Sequence, residues 1–166
     1  MNHYIDEEFE RIVSPILEID EFNQTKFITH HGITRYDHSM RVAYLSYKVS
    51  KVLRLNYKEV TEAALLHDFF LNEVDHENRA ERLRRHPEYA VNNASKYLDL
   101  SEMQKDIIRT HMFPVTFTPP KYLESWIVNL MDDVAALYEG GYRIHKELRA
   151  VSMLFVFFVV NFVKMR

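Results

Sequence analysis

The chain has 166 residues with three glycines, five prolines, nine histidines and no cysteine, and its formal net charge is −3. Glycine and proline together make up about 5% of it, against a usual share of roughly 12%, which argues against sandwiches, barrels and doubly wound sheets with their many tight turns. The missing cysteines exclude disulfides, thiolate metal sites, iron–sulfur clusters and a cysteine nucleophile, and the charge offers nothing to a bulk nucleic-acid partner.

An all-α single domain of six to eight helices is the expectation, large enough to bury roughly 70% of its unfolded surface. The first eleven residues are acidic (Asp6, Glu7, Glu8, Glu10) and lack the basic and apolar runs of a secretory signal, so a cytoplasmic location is expected. Residues 4–18 read as a first amphipathic helix. Residues 36–53 place Val42, Leu45, Val49 and Val52 at helical spacing, with Thr34 as a cap. Residues 58–71 follow, with Val60, Ala63, Ala64 and Leu65 as the apolar side. A short helix over 78–85 is expected to stop before Pro87, and Pro87 to open the next, running to about residue 98. Ser101 and Gln104 spell a capping box for a helix reaching His111. Residues 112–119 read as a loop, Pro120 as the start of a helix to Tyr138, and Gly140 and Gly141 as its stop signal.

The stretch 150–163 is apolar except for Ser152 and Asn161, and Lys164 and Arg166 follow it. As a helix, residues 150–163 span ~21 Å, short of the ~30 Å hydrocarbon core. The expected role of 150–166 is therefore a final helix buried in the domain or in a homodimer interface, with weak membrane contact or a short anchor as the competing assignment.

Placed on these helices, the polar residues form a pattern. His38 falls in the first turn of one helix. His67 and Asp68 sit inside the apolar string Ala64-Leu65-Leu66-His67-Asp68-Phe69-Phe70, and Asp132 inside Leu130-Met131-Asp132-Asp133-Val134-Ala135. A buried carboxylate needs a partner, and a metal ion supplies one. His86 precedes Pro87, and His111 ends its helix. Imidazole with carboxylate oxygen suits first-row divalent metals.

The order His38, His67-Asp68, Asp132 resembles the H…HD…D signature of the HD-domain superfamily of metal-dependent phosphohydrolases. Adding His86 and His111 resembles its six-ligand, two-metal variant, found in small bacterial HD proteins. The likeness covers about residues 30–140 and extends to the strings Arg35-Tyr36-Asp37-His38-Ser39 and His86-Pro87-Glu88. It implies two divalent ions, iron or manganese first, with magnesium, zinc, nickel or cobalt as further choices; a single-ion site at His38, His67, Asp68 and Asp132 is the alternative. By resemblance, Asp68 bridges both ions, His38, His67 and Asp132 complete one, and His86 and His111 serve the other. Asp68 and His67 then carry the catalysis. Asp132 is chosen over the adjacent Asp133 because it matches the family's last aspartate.

Arg41, three residues after His38, and Arg82, four before His86, are the candidate phosphate contacts. The competing assignment for the run from Arg79 to Arg85 is a solvated face paired with Glu77 and Glu81. His3, His76 and His145 read as solvated, and His30 and His31 as loop residues beside the pocket mouth. The expected function is hydrolysis of a nucleotide or other small phosphate ester. The alternatives are a di-iron oxygenase like myo-inositol oxygenase, or a non-catalytic nucleotide sensor. A cyclic-dinucleotide phosphodiesterase is disfavoured because Gly141-Tyr142 leads to Arg143, not proline.

Overall fold

The computed structural model describes residues 6–30, 33–71 and 79–139. The expected last helix with its apolar stretch 150–166, the stop signal at Gly140 and Gly141, and His3, His31, His76 and His145 lie outside those residues. The described part is all-α, with one small hairpin. The order is α1 (Glu7–Leu17), α2 (Asp20–Asn23), a 3-10 turn (Gln24–Phe27), β1 (Thr29–His30), β2 (Ile33–Thr34), α3 (Arg35–Val52), α4 (Tyr57–Leu66), α5 (Arg79–Ala94), α6 (Glu102–Thr110) and α7 (Leu123–Tyr138). The strands pair antiparallel, Thr29 with Thr34 and His30 with Ile33.

Local chemistry explains where these helices start. Asp6 caps α1, its carboxylate accepting from the amides of Glu8 and Phe9 at 3.2 and 3.3 Å. Thr34 caps α3 through the Asp37 amide at 3.0 Å and returns its own hydroxyl to the Asp37 carboxylate at 2.6 Å. At α6 the Ser101 hydroxyl and the Gln104 side chain complete the expected box. Pro15 lies inside α1, where it leaves the Arg11 carbonyl without its usual amide; the Ser14 hydroxyl donates to that carbonyl instead.

α4 is the hub, packed against α1, α3, α6 and α7. Val60, Ala63, Ala64, Leu65 and Leu66 are all buried. Of the apolar residues expected to face inward on α3, Val42 is buried and Leu45 and Val49 pack against the core, whereas Val52 is 80% exposed; Ala43, Ser46, Tyr47 and Ser50 are buried beside them. Small side chains on α3 and alanines on α4 let the two helices approach closely, which the larger aliphatics would prevent. α3 ends in a Schellman turn, with Leu55 N bonded to Ser50 O and Arg54 N to Lys51 O. Arg54 takes the left-handed residue there at φ 58°.

Two boundaries depart from expectation. α4 stops at Leu66 rather than at residue 71, because the His67 ring takes the Ala64 carbonyl at 2.7 Å, the acceptor that the next helical amide would need. Residues 79–94 form one helix through Pro87, not two meeting there. A single interior proline removes one backbone bond, to the Leu83 carbonyl, and α5 continues past it while packing on α6.

Candidate metal centre

Three helices and two helix-ending turns bring the chemistry together. His38 comes from the first turn of α3. His67 and Asp68 follow the last turn of α4. His86 lies on α5, His111 caps α6 and Asp132 lies on α7. These six residues form three overlapping groups able to hold a cation: His38, His67 and Asp68; His67, His111 and Asp132; and Asp68, His86 and His111, with the ligand atoms of each group within 4.8 Å of one another. Asp68 belongs to the first and last groups, the position a bridging carboxylate needs. Of the adjacent aspartates, Asp132 is the one in these groups.

The rings are oriented by their far nitrogens. His67 Nδ1–H donates to Ala64 O, and His111 Nδ1–H donates to Ile108 O, each at 2.7 Å. Both carbonyls are in the last turn of the donor's own helix, where no further amide arrives to use them. Each ring therefore carries its lone pair on Nε2, pointing inward. His38 Nδ1 instead faces Glu139 Oε2 at 2.8 Å, and its Nε2 lies 2.9 Å from Asp132 Oδ1.

The centre fits a cation on an observation independent of the likeness. Among the described residues, His67 Nε2 and Asp68 Oδ1 are buried polar atoms with no hydrogen-bond partner, an arrangement that costs about 1–3 kcal/mol per group unless something fills it. His86 Nε2 and His111 Nε2 approach to 3.0 Å, the separation of two ligands at right angles around an ion ~2.1 Å from each. His86 Nε2 is also 3.4 Å, and His111 Nε2 3.7 Å, from Asp68 Oδ1.

The electrostatics follow from the same contacts. Burial opposes the charge of Asp68, but His67, His86, His111 and Arg35 together hold its carboxyl well below the usual range. Burial likewise opposes Asp132, and the His38 hydrogen bond with the nearby rings brings it down to about 2. Burial, then the neighbouring His67, pushes His111 down, so it stays neutral and available as a ligand. For His38 burial acts downward, but the hydrogen bond and charge of Asp132 with the charge of Asp68 outweigh it and raise the ring.

The candidate substrate cations are placed differently. Arg41 directs its guanidinium onto Glu139 Oε1 and lies 5.2 Å from the centre of the Tyr138 ring. Arg82 is on α5, but its side chain is outside the described residues, as is that of His30. Sequence reasoning missed Arg35, buried and stacked 3.8 Å from the centre of the Phe70 ring, whose charge acts on Asp68. Its position three residues before His38 was the available signal. It also missed Asn129, whose amide donates to His111 O at 2.5 Å and Phe113 O at 2.9 Å.

The family model for the HD domain matches residues 35–137, from the first residue of α3 almost to the end of α7. The chain belongs to the HD-domain family. No curated protein and no solved structure matches it. HD domains form a superfamily of metal-dependent phosphohydrolases, and the matched span includes all six residues of the centre. Among the described residues no helix is long and apolar enough to cross a membrane.

Proposed function

We propose that this HD domain hydrolyses a nucleotide or other small phosphate ester at a two-metal centre. The observation that carries this is the pair of orphaned atoms, His67 Nε2 and Asp68 Oδ1, in the middle of six converging histidine and aspartate side chains. His38, His67, Asp68 and Asp132 would hold one ion, and Asp68, His86 and His111 the other. Iron and manganese suit this nitrogen and oxygen set best. Bound there, the ions would supply a hydroxide near neutral pH and neutralise the phosphoryl oxygens.

The chain's own groups do the rest. The Nδ1–H bonds of His67 and His111 keep two lone pairs aimed inward, so no ring must reorient for ligation. Asp68 stays ionised. The buried guanidinium of Arg35 supplies positive charge beside Asp68. Arg41, a planar group with five donors, has N–H groups beyond those its carboxylate partner takes, and with Arg82 is the proposed phosphate contact.

The test is elemental analysis of anaerobically purified protein beside an Asp68→Ala variant, with phosphate release from a nucleotide panel under added Mn(II) or Fe(II). Two metals per chain in the parent, lost on substitution, together with released phosphate, is the expected result. Bound metal without phosphate release, but with dioxygen consumed over a polyol, would replace hydrolysis with oxygenase chemistry. A protein that binds no metal sinks the proposal.

A further inference from the structure

A histidine ligand needs an acceptor for its far N–H, or its ring can flip and its tautomer wander. His67 and His111 find theirs at the C-terminal ends of α4 and α6, where carbonyls are left over. His38 cannot use that solution. It is the fourth residue of α3, and the first turn of a helix has spare amides but no spare carbonyls. An acceptor must therefore come from another element, and one does. Glu139, the residue that caps the C-terminus of α7, brings Oε2 to 2.8 Å from His38 Nδ1 across 101 positions of sequence.

The Glu139 side chain is only 6% exposed. A carboxylate buried that far is costly without a counter-charge, and Arg41, one turn along α3 from His38, takes its other oxygen. Because a carboxylate only accepts, the Glu139 contact asks for a proton on Nδ1 and the Asp132 contact for one on Nε2; the two compete for the proton of a neutral ring, and the Nδ1–H form alone leaves an inward-facing lone pair on Nε2. On its far side that Nε2 meets Asp132, from the same helix that Glu139 ends. The end of α7 thus grips the His38 ring at both nitrogens. Glu139 lies two residues past the end of the family match at 137, so the family pattern does not assign it.

We infer that Glu139 is a positioning residue: its carboxylate, held by Arg41, fixes His38 in the Nδ1–H tautomer with Nε2 directed into the metal centre. This rests on the metal-centre assignment above for its consequence, but the orientation itself is a property of the metal-free protein.

The experiment uses the full chain with Glu139→Ala, Glu139→Asp and Glu139→Gln, and two readouts. Long-range proton–nitrogen spectra of the metal-free protein, recorded at a pH above the titration of the ring, report the His38 tautomer, with His38→Gln to assign the signal. Calorimetric titration reports the Mn(II) dissociation constant. The parent is expected to hold the proton on Nδ1 against the competing Asp132 carboxylate. Glu139→Ala should move the proton to Nε2, where Asp132 accepts it, and bind Mn(II) ten- to hundredfold more weakly. Glu139→Asp keeps the charge for Arg41 but withdraws the carboxylate by one methylene. It should lose the tautomer too, and it decides the matter if the alanine variant does not fold. Glu139→Gln, whose amide oxygen still accepts, should recover the tautomer and most of the affinity, a rescue that a merely structural role would not produce. An unchanged Nδ1–H tautomer in folded Glu139→Ala or Glu139→Asp overturns the inference. Failure of the parent to bind Mn(II) overturns the metal centre instead, and the tautomer comparison still decides the role of Glu139.

Discussion

His67 and His111 are held by the main chain of their own helices, three residues back, while His38 is held by a side chain 101 residues away. No side-chain substitution removes the first kind of anchor, since the acceptors are the carbonyls of Ala64 and Ile108. The second depends on one carboxylate and on α7 docking against α3. The contrast teaches that part of the centre is built as soon as α4 and α6 form, and that the His38 side is completed only by long-range packing.

The widest break in that contrast comes from the centre itself. If both kinds of anchoring serve a cation, filling the centre should stabilise the whole fold. At about a hundred times its dissociation constant, Mn(II) should add about 2.7 kcal/mol. For a chain of this size that is a rise of about 5–10 °C in melting temperature, reversed by a chelator and absent in Asp68→Ala. Scanning calorimetry checks it, and equal melting with and without metal would leave the histidines as packing residues.

A narrower test separates anchor from surroundings. Asn129→Ala removes the donor shared by His111 O and Phe113 O and should cost about 2 kcal/mol in urea unfolding. His111 should nonetheless keep its Nδ1–H tautomer, because Ile108 O remains in place. Loss of that tautomer would show that the main-chain anchor is not self-sufficient.

The opposite end of α3 offers a solvent-facing counterpart to the buried His38 grip. Lys51 in the last turn donates to Glu8 at 2.5 Å, and the Tyr57 hydroxyl donates to the same carboxylate at 2.7 Å. Those bonds, the lysine first, hold the Glu8 carboxyl down at about 2 from an ordinary 4.5. A depressed carboxylate adds stability that is fully present above the ordinary value and lost as pH falls through the folded one. The urea midpoint should therefore drop between pH 4.5 and 2, and Glu8→Gln should flatten that drop while leaving Mn(II) binding unchanged.

The smallest effect is expected just past that end. Arg54 sits in the left-handed region, where a residue with a Cβ is strained by about 1–2 kcal/mol, so Arg54→Gly should gain up to about 1 kcal/mol once the greater freedom of glycine in the unfolded chain is counted. A loss of stability would mean that the Arg54 side chain contributes more than its backbone costs.

The centre was legible because polar residues stood inside apolar strings. His67-Asp68 and Asp132 interrupt helical faces that otherwise read as core, and each interruption calls for a partner. Glu139 was not legible: next to Gly140 and Gly141 its only local signal was the end of a helix, and its contact with His38 depends on how α7 crosses α3. The inward face of α3 was read in part: Val42, Leu45 and Val49 pack on the core, but Ala43, Ser46 and Ser50 went unread because serine and alanine carry little hydrophobic signal, although their small size is what close packing against α4 uses. The hairpin was missed because two-residue strands are too short to show alternation. The continuation of α5 through Pro87 escaped because a local rule about proline yielded to packing against α6.

The termination of α4 at His67 and of α6 at His111 has an electrical consequence. An α-helix ends in the negative pole of its backbone dipole, roughly half an elementary charge. Two such poles converge here on a centre that already holds the ionised Asp68 and Asp132. An anion arriving before a cation meets repulsion from these four sources, against the charge of Arg35 and the remaining N–H groups of Arg41. If the centre takes a cation and a phosphate as proposed, the two occupancies are linked, so phosphate affinity should be measured against metal concentration and not as a fixed constant.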